Sequence, residues 1–230
     1  MNSSPLDTGI TNSNSSEFKD FRPNSDRARN AQTLIWLVMA AAIALMATTF
    51  IEIDVLQRLD NETFGEDIMA EAERSDSMNQ LAAIIYTILR IISAVFFIQW
   101  FRRAYHNISN FAETDHTNGW AAGAWFVPII NWYRPFYIMR ELWMKTTDHL
   151  GEDQLESKKF NYFLYTGIWW TLWIITSVLN NYLFRAEQET ITQMINVDYV
   201  SIFAGLLEIP LSIITVKIIK EYNTLEEQLS

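Results

Sequence analysis

Apolar residues in this chain are gathered into runs, and the charged residues lie between them. Four runs, over 33–51, 81–101, 160–184 and 199–216, are each about the ~20 residues that a helix needs to cross a bilayer. Inside them the polar and small positions recur at helical spacing. Ser201, Gly205, Glu208, Ser212 and Thr215 step by four, three, four and three, and Tyr86, Arg90, Ser93 and Phe97 step likewise. A fifth apolar stretch, Gly119 to Trp143, is interrupted by Pro128 and Pro135, each of which removes a backbone donor and breaks a helix. The pattern predicts an all-α integral membrane protein with four transmembrane helices, about 33–52, 81–103, 160–184 and 199–220. Between the second and third it predicts a broken re-entrant or interfacial amphipathic segment over 119–145. Residues 1–32, rich in Ser, Asn and Asp, predict a disordered cytoplasmic tail. Residues 33–222 then form the membrane domain and 223–230 a short cytoplasmic C-terminal tail.

Charge orients these elements. With the N-terminus inside and four spans, 13 of the 17 basic residues fall on the cytoplasmic side, and the outer loop 53–79 carries eight acidic residues against two basic ones. The excess of Lys and Arg inside predicts that both termini are cytoplasmic. A fifth span over 119–139 is the rival; it would carry Arg140, Lys145, Lys158 and Lys159 to the outside.

The mean hydropathy of the 230 residues is close to zero, which resembles a soluble domain only because runs and loops cancel. Cysteine is absent, which excludes disulfides, thiolate metal sites and a cysteine nucleophile. A net charge of −10 argues against a nucleic-acid partner. His106, His116 and His149 all lie outside the runs, so a bis-histidine haem is not expected, and Glu113, Asp115 and His116 read as a solvated loop before a metal site. No phosphate-binding loop, nucleophile elbow or His-Glu-x-x-His pattern occurs, and no cofactor is expected.

Two ionisable residues stand deep in predicted spans. Arg90 and Glu208 are each about nine or ten residues from the outer end of their helix, roughly 14–15 Å at 1.5 Å per residue. An unpaired charge at that depth costs at least ~2.5–3.5 kcal/mol, so the two are expected to pair, with Tyr86, Ser93 and Ser212 as supporting polar groups. The pair either holds helix register or belongs to a polar cavity or ion pathway. Trp100, Arg102 and Arg103 read as interface anchors, with Arg103 and Asn107 on one helix face. After Pro135 the chain reads as an amphipathic helix, Arg134, Glu141 and Lys145 opposite Phe136, Met139 and Trp143, suited to the inner headgroup surface.

The stretch from Trp100 to Trp143 reads W-F-R-R-A-Y-H-N, then N-G-W-A-A-G-A-W-F-V-P-I-I-N-W-Y-R-P-F-Y-I-M-R-E-L-W. It resembles the bacterial membrane family catalogued as domain of unknown function 4328. The matching positions are Trp100, Arg103, Ala104, Asn107, Gly119, Trp120, Pro128, Asn131, Arg134, Pro135, Glu141 and Trp143. Phe136 stands where that family more often has tyrosine. The resemblance implies a multi-pass protein of the bacterial inner membrane and no particular activity. The expected role is a non-enzymatic scaffold or regulatory membrane subunit, with membrane lipid around it and a protein partner on the cytoplasmic aromatic segment. The alternatives are a small transporter or channel component built on the Arg90–Glu208 pair, and a lipid-binding protein with a headgroup pocket between Asn107, Asn131 and Arg134.

Overall fold

A computed structural model describes residues 20–61, 68–151 and 156–229. Its regular structure is all helical, with no strand among the described residues. Six α-helices occur in chain order: α1 (Ser25–Asp60), α2 (Ile68–Ser109), α3 (Asn118–Gly123), α4 (Arg134–Leu150), α5 (Glu156–Arg185) and α6 (Ile191–Glu226). Short 3-10 turns follow at Ile130–Trp132 and Glu227–Leu229. Four helices, α1, α2, α5 and α6, are long and apolar enough to cross a membrane. The 42 residues of α2 extend about 63 Å, twice the ~30 Å of a hydrocarbon core, so the helices continue well past their apolar runs.

That continuation takes in residues 25–32 and 223–229 of the two predicted tails. The helix α1 starts at Ser25, within the stretch read as disordered; residues 1–19 lie outside the described residues, as do loop residues 62–67. Its buried positions Ala28, Ala31, Ile35, Val38, Ala42, Met46, Thr49 and Ile53 form one stripe at steps of three and four, with Val55 buried beside its end. Ala28 and Ala31 begin the stripe among Arg27, Arg29 and Asn30, where no hydrophobic run is visible. The C-terminal stretch is likewise packed: Tyr222, Leu225, Glu226 and Leu229 are buried.

The long helices lie in the order α2, α1, α6, α5, each packed on the next, and the α2–α5 side has no comparable helix-to-helix packing. At Gly205 the α1–α6 approach is so close that an added Cβ would stand 2.6 Å from Met46 Cγ. A small residue there lets the helices meet. One end of the bundle gathers the start of α1, the end of α2, the α3–α4 segment, the start of α5 and the end of α6. Asn24 donates to the Trp100 carbonyl (3.3 Å), Asn107 to Glu226 (2.6 Å), and Trp143 stacks on Tyr162 at 4.0 Å.

The α3–α4 segment stays at that end. Its α3 has six residues, about 9 Å, too short to cross a bilayer, and no described helix between α2 and α5 is long and apolar enough to do so. Between the two helices the chain turns at Pro128, where Ile129 takes φ 68°, a left-handed conformation that a β-branched residue adopts only under local strain. Pro135 sits at the first turn of α4, where its missing N–H is harmless. The apolar face of α4, including Ile138, Met139, Leu142 and Trp143, is buried against the bundle and not turned to a headgroup layer.

Candidate functional site

On α2 and α6 the helical steps that carry Tyr86, Arg90 and Ser93, and Glu208 and Ser212, put both sets on facing stripes. Arg90 Nη1 lies 2.9 Å from Glu208 Oε2, and the Tyr86 hydroxyl donates to the same oxygen at 3.2 Å. Arg90 also donates to the Tyr86 hydroxyl oxygen. The carboxylate side chain is 7% exposed and the arginine 28%, because the arginine reaches into a cavity. Ser93 and Ser212 do not bond the pair; both line that cavity.

The cavity measures about 300 Å³ and lies between α2 and α5, with α1 and α6 behind it. Its floor is the Arg90–Glu208 pair. Its roof is the broken segment: Trp125 enters with its ring 5.7 Å from Phe97, 6.4 Å from Trp169 and 5.6 Å from Trp173. Phe97 and Trp169 belong to apolar runs of α2 and α5, so Trp125 sits level with the spans. Asn131 reaches the same space. Three polar atoms here are buried without a hydrogen-bond partner among the described residues: Ser212 Oγ, Asn131 Oδ1 and Trp125 Nε1. Such atoms cost on the order of 1–3 kcal/mol each unless something supplies the missing bond. They call for one acceptor, one donor and one group that can be either.

Half of the sequence motif, Trp100, Ala104, Asn107, Pro135, Glu141 and Trp143, is buried. Trp100 is fully buried, its ring 6.0 Å from Tyr222, so it is a core residue and not a membrane-interface anchor. Asn107 is also fully buried. Its amide donates to the Arg22 carbonyl (2.8 Å) and to Glu226 Oε1 (2.6 Å), and its oxygen accepts from the Arg22 N–H (3.1 Å). Glu226, ten residues beyond the apolar run of α6, accepts a further bond from Asn24 at 3.0 Å. Burial pushes its carboxyl up to about 7, against the pull of the Asn24 and Asn107 bonds. Glu141, expected on an exposed polar face, is buried and clamps the loop before α3: it accepts from Tyr105 (2.8 Å) and from the Asp115 N–H, and His116 Nδ1 lies 2.8 Å away. Burial and this carboxylate hold the Tyr105 hydroxyl above the ordinary tyrosine range, so it stays a donor.

The remaining motif residues scatter. Arg103 is half-buried near Arg27 and Glu226, Gly119 and Pro128 are exposed, and Arg134 lies 4.0 Å over the Trp120 ring. Asn107, Asn131 and Arg134 therefore turn to Glu226, the cavity and Trp120 respectively, and do not assemble the headgroup pocket expected of them. His116 is taken up by Glu141, and no group of three metal-ligating side chains occurs among the described residues. Glu226 and Asn24 escaped the sequence reading. The signal for Glu226 was its place four residues after Tyr222, on the continuing stripe of α6.

The family model described as Domain of unknown function (DUF4328) matches residues 67–224, from the start of α2 almost to the end of α6. No curated protein and no solved structure matches the chain.

Proposed function

The chain belongs to the family described as Domain of unknown function (DUF4328), and on its geometry we propose a non-enzymatic protein of the bacterial cytoplasmic membrane that binds a small neutral amphiphile among its helices. The observation that carries this reading is the cavity between α2 and α5, with its closed Arg90–Glu208 pair and three unpartnered polar atoms. A guanidinium and a carboxylate that neutralise each other ask for no net charge on the ligand. The aromatic wall of Trp125, Trp169 and Trp173 suits an apolar body, and about 300 Å³ is at the small end of ligand sites. Scaffolding through the cytoplasmic aromatic segment is less well supported, since Trp100, Asn107, Glu141 and Trp143 turn into the core.

Both ends of the described chain share one end of the bundle with the α3–α4 segment, and the basic residues favour the cytoplasm for it. The segment then re-enters from that side. Phe126 (74% exposed) and Ile129 (79%) at its tip suit contact with acyl chains. A cysteine placed at residue 65 should react with an impermeant thiol reagent from outside, and one at 116 should not. Labelling at 116 would reverse the orientation.

Ligand binding is tested by native mass spectrometry of protein released from its own membranes. The wild type should retain a small non-protein species. Ser93→Leu with Ser212→Phe should expel it, and neither serine bonds the Arg90–Glu208 pair. No retained species, or one held equally by the filled variant, would reject the reading.

A further inference from the structure

A second cavity, about 330 Å³, lies on the outer face of α4, away from the Arg90–Glu208 site. Arg134 and Arg140 both line it, and both guanidiniums rest on aromatic rings: Arg134 4.0 Å over Trp120 and Arg140 3.7 Å over Phe163. Neither arginine has a carboxylate partner among the described residues, and Arg140 Nε is buried without a hydrogen bond. A guanidinium stacked on a ring keeps its N–H donors in its own plane, free at the edge for an anion. The planar fork matches phosphate oxygens in particular.

Two carboxylates share the cavity, and they differ. Glu141 is saturated by Tyr105, His116 and the Asp115 N–H. Asp115 is exposed, and its carboxylate forms no ion pair among the described residues. The rim is amphipathic, with Tyr133, Tyr137 and Met144 about half exposed. This is the residue mixture of a membrane–water boundary.

We propose that this cavity binds the zwitterionic phosphoethanolamine headgroup of a membrane lipid, the phosphate on Arg134 and Arg140 and the ammonium on Asp115. Two unpaired guanidiniums select a phosphate. The unpaired carboxylate beside them favours a headgroup that carries an amine and disfavours a purely anionic one. The proposal rests on the membrane placement argued above but not on the occupant of the central cavity.

Native mass spectrometry of the full chain in detergent, with phosphatidylethanolamine and phosphatidylglycerol of identical acyl chains added in equal amounts, measures the preference. The wild type should retain the ethanolamine lipid several-fold over the glycerol lipid. Arg134→Gln with Arg140→Gln should lower retention of both at least tenfold, and Asp115→Asn, an exposed loop change, should abolish the preference while keeping phosphate-dependent binding. The species held by the central cavity should persist in all variants, which separates loss of this site from failure of the first reading and from misfolding. Equal retention of the two lipids by the wild type, or a preference that survives either substitution, would overturn the proposal. Displacement of the lipid by millimolar free O-phosphoethanolamine would assign the site to a soluble phosphate ester and overturn the lipid source.

Discussion

Glu208→Gln is expected to destabilise the helix bundle by about 3 kcal/mol, near the lower end of the cost of breaking a buried ion pair. The loss arises because Arg90 and Tyr86 both donate to Glu208 Oε2 (2.9 and 3.2 Å), and a neutral amide leaves the guanidinium charge uncompensated. The lower end applies because the Arg90 side chain is 28% exposed to the cavity and keeps some polar surroundings. Tyr86→Phe, which removes one neutral donor, should cost only about 1 kcal/mol. Arg90→Leu with Glu208→Leu removes both charges and should recover most of the stability, since apolar replacement of a whole buried pair is often neutral. Denaturant unfolding in detergent reads all three. The double variant also divides the two roles open to the pair: recovered stability with the retained small molecule lost makes it part of the binding site, whereas recovered stability with that molecule kept makes it a register device.

At the other end of the bundle, Asn107→Asp should destabilise strongly at pH 8 and far less at pH 5.5. The substitution sets a second carboxylate where Asn107 now donates to Glu226 Oε1 at 2.6 Å, and two buried carboxylates in contact cannot both be charged. The wild type already leans this way. Burial pushes the Glu226 carboxyl up to about 7 from 4.5, so the folded protein holds a proton that the unfolded chain releases. Its contribution is therefore fully present below pH 4.5 and declines as pH rises to about 7, by an amount on the order of 3 kcal/mol, then levels. Glu226→Gln should flatten that slope and raise the melting temperature at pH 8, opposite in sign to Asn107→Asp. A wild-type melting temperature that rises from pH 5 to 7.5, or an unchanged slope in Glu226→Gln, would contradict the role given to this carboxyl.

The family match begins at residue 67, so α1 lies outside it, yet α1 supplies Ile35 and Val38 to the central cavity, and Asn24, the residue just before it, bonds Glu226. Substitutions in α1 thus bear on both sites described for the matched region.

The sequence by itself determined the four long helices and the pairing of Arg90 with Glu208. Inside a hydrocarbon layer nearly every position must be apolar, so a run of that length is legible, and a lone charge within it stands out and demands a partner at equal depth. Helical spacing then decided which side chains could face each other. The break at Pro128 was legible for a similar local reason, since proline removes a donor whatever surrounds it. Only the tertiary structure decided what happens beyond the apolar runs. There a helix needs only its inward stripe to be apolar, and Ala28 and Ala31 between arginines, or Leu225 and Leu229 among glutamates, look no different from a solvated tail. Asn24 and Glu226 meet across 202 residues of chain, and Trp125 reaches Trp169 only because the broken segment folds back between α2 and α5. Hydropathy reports the solvent around a residue, whereas these contacts depend on which distant backbone the chain is brought against.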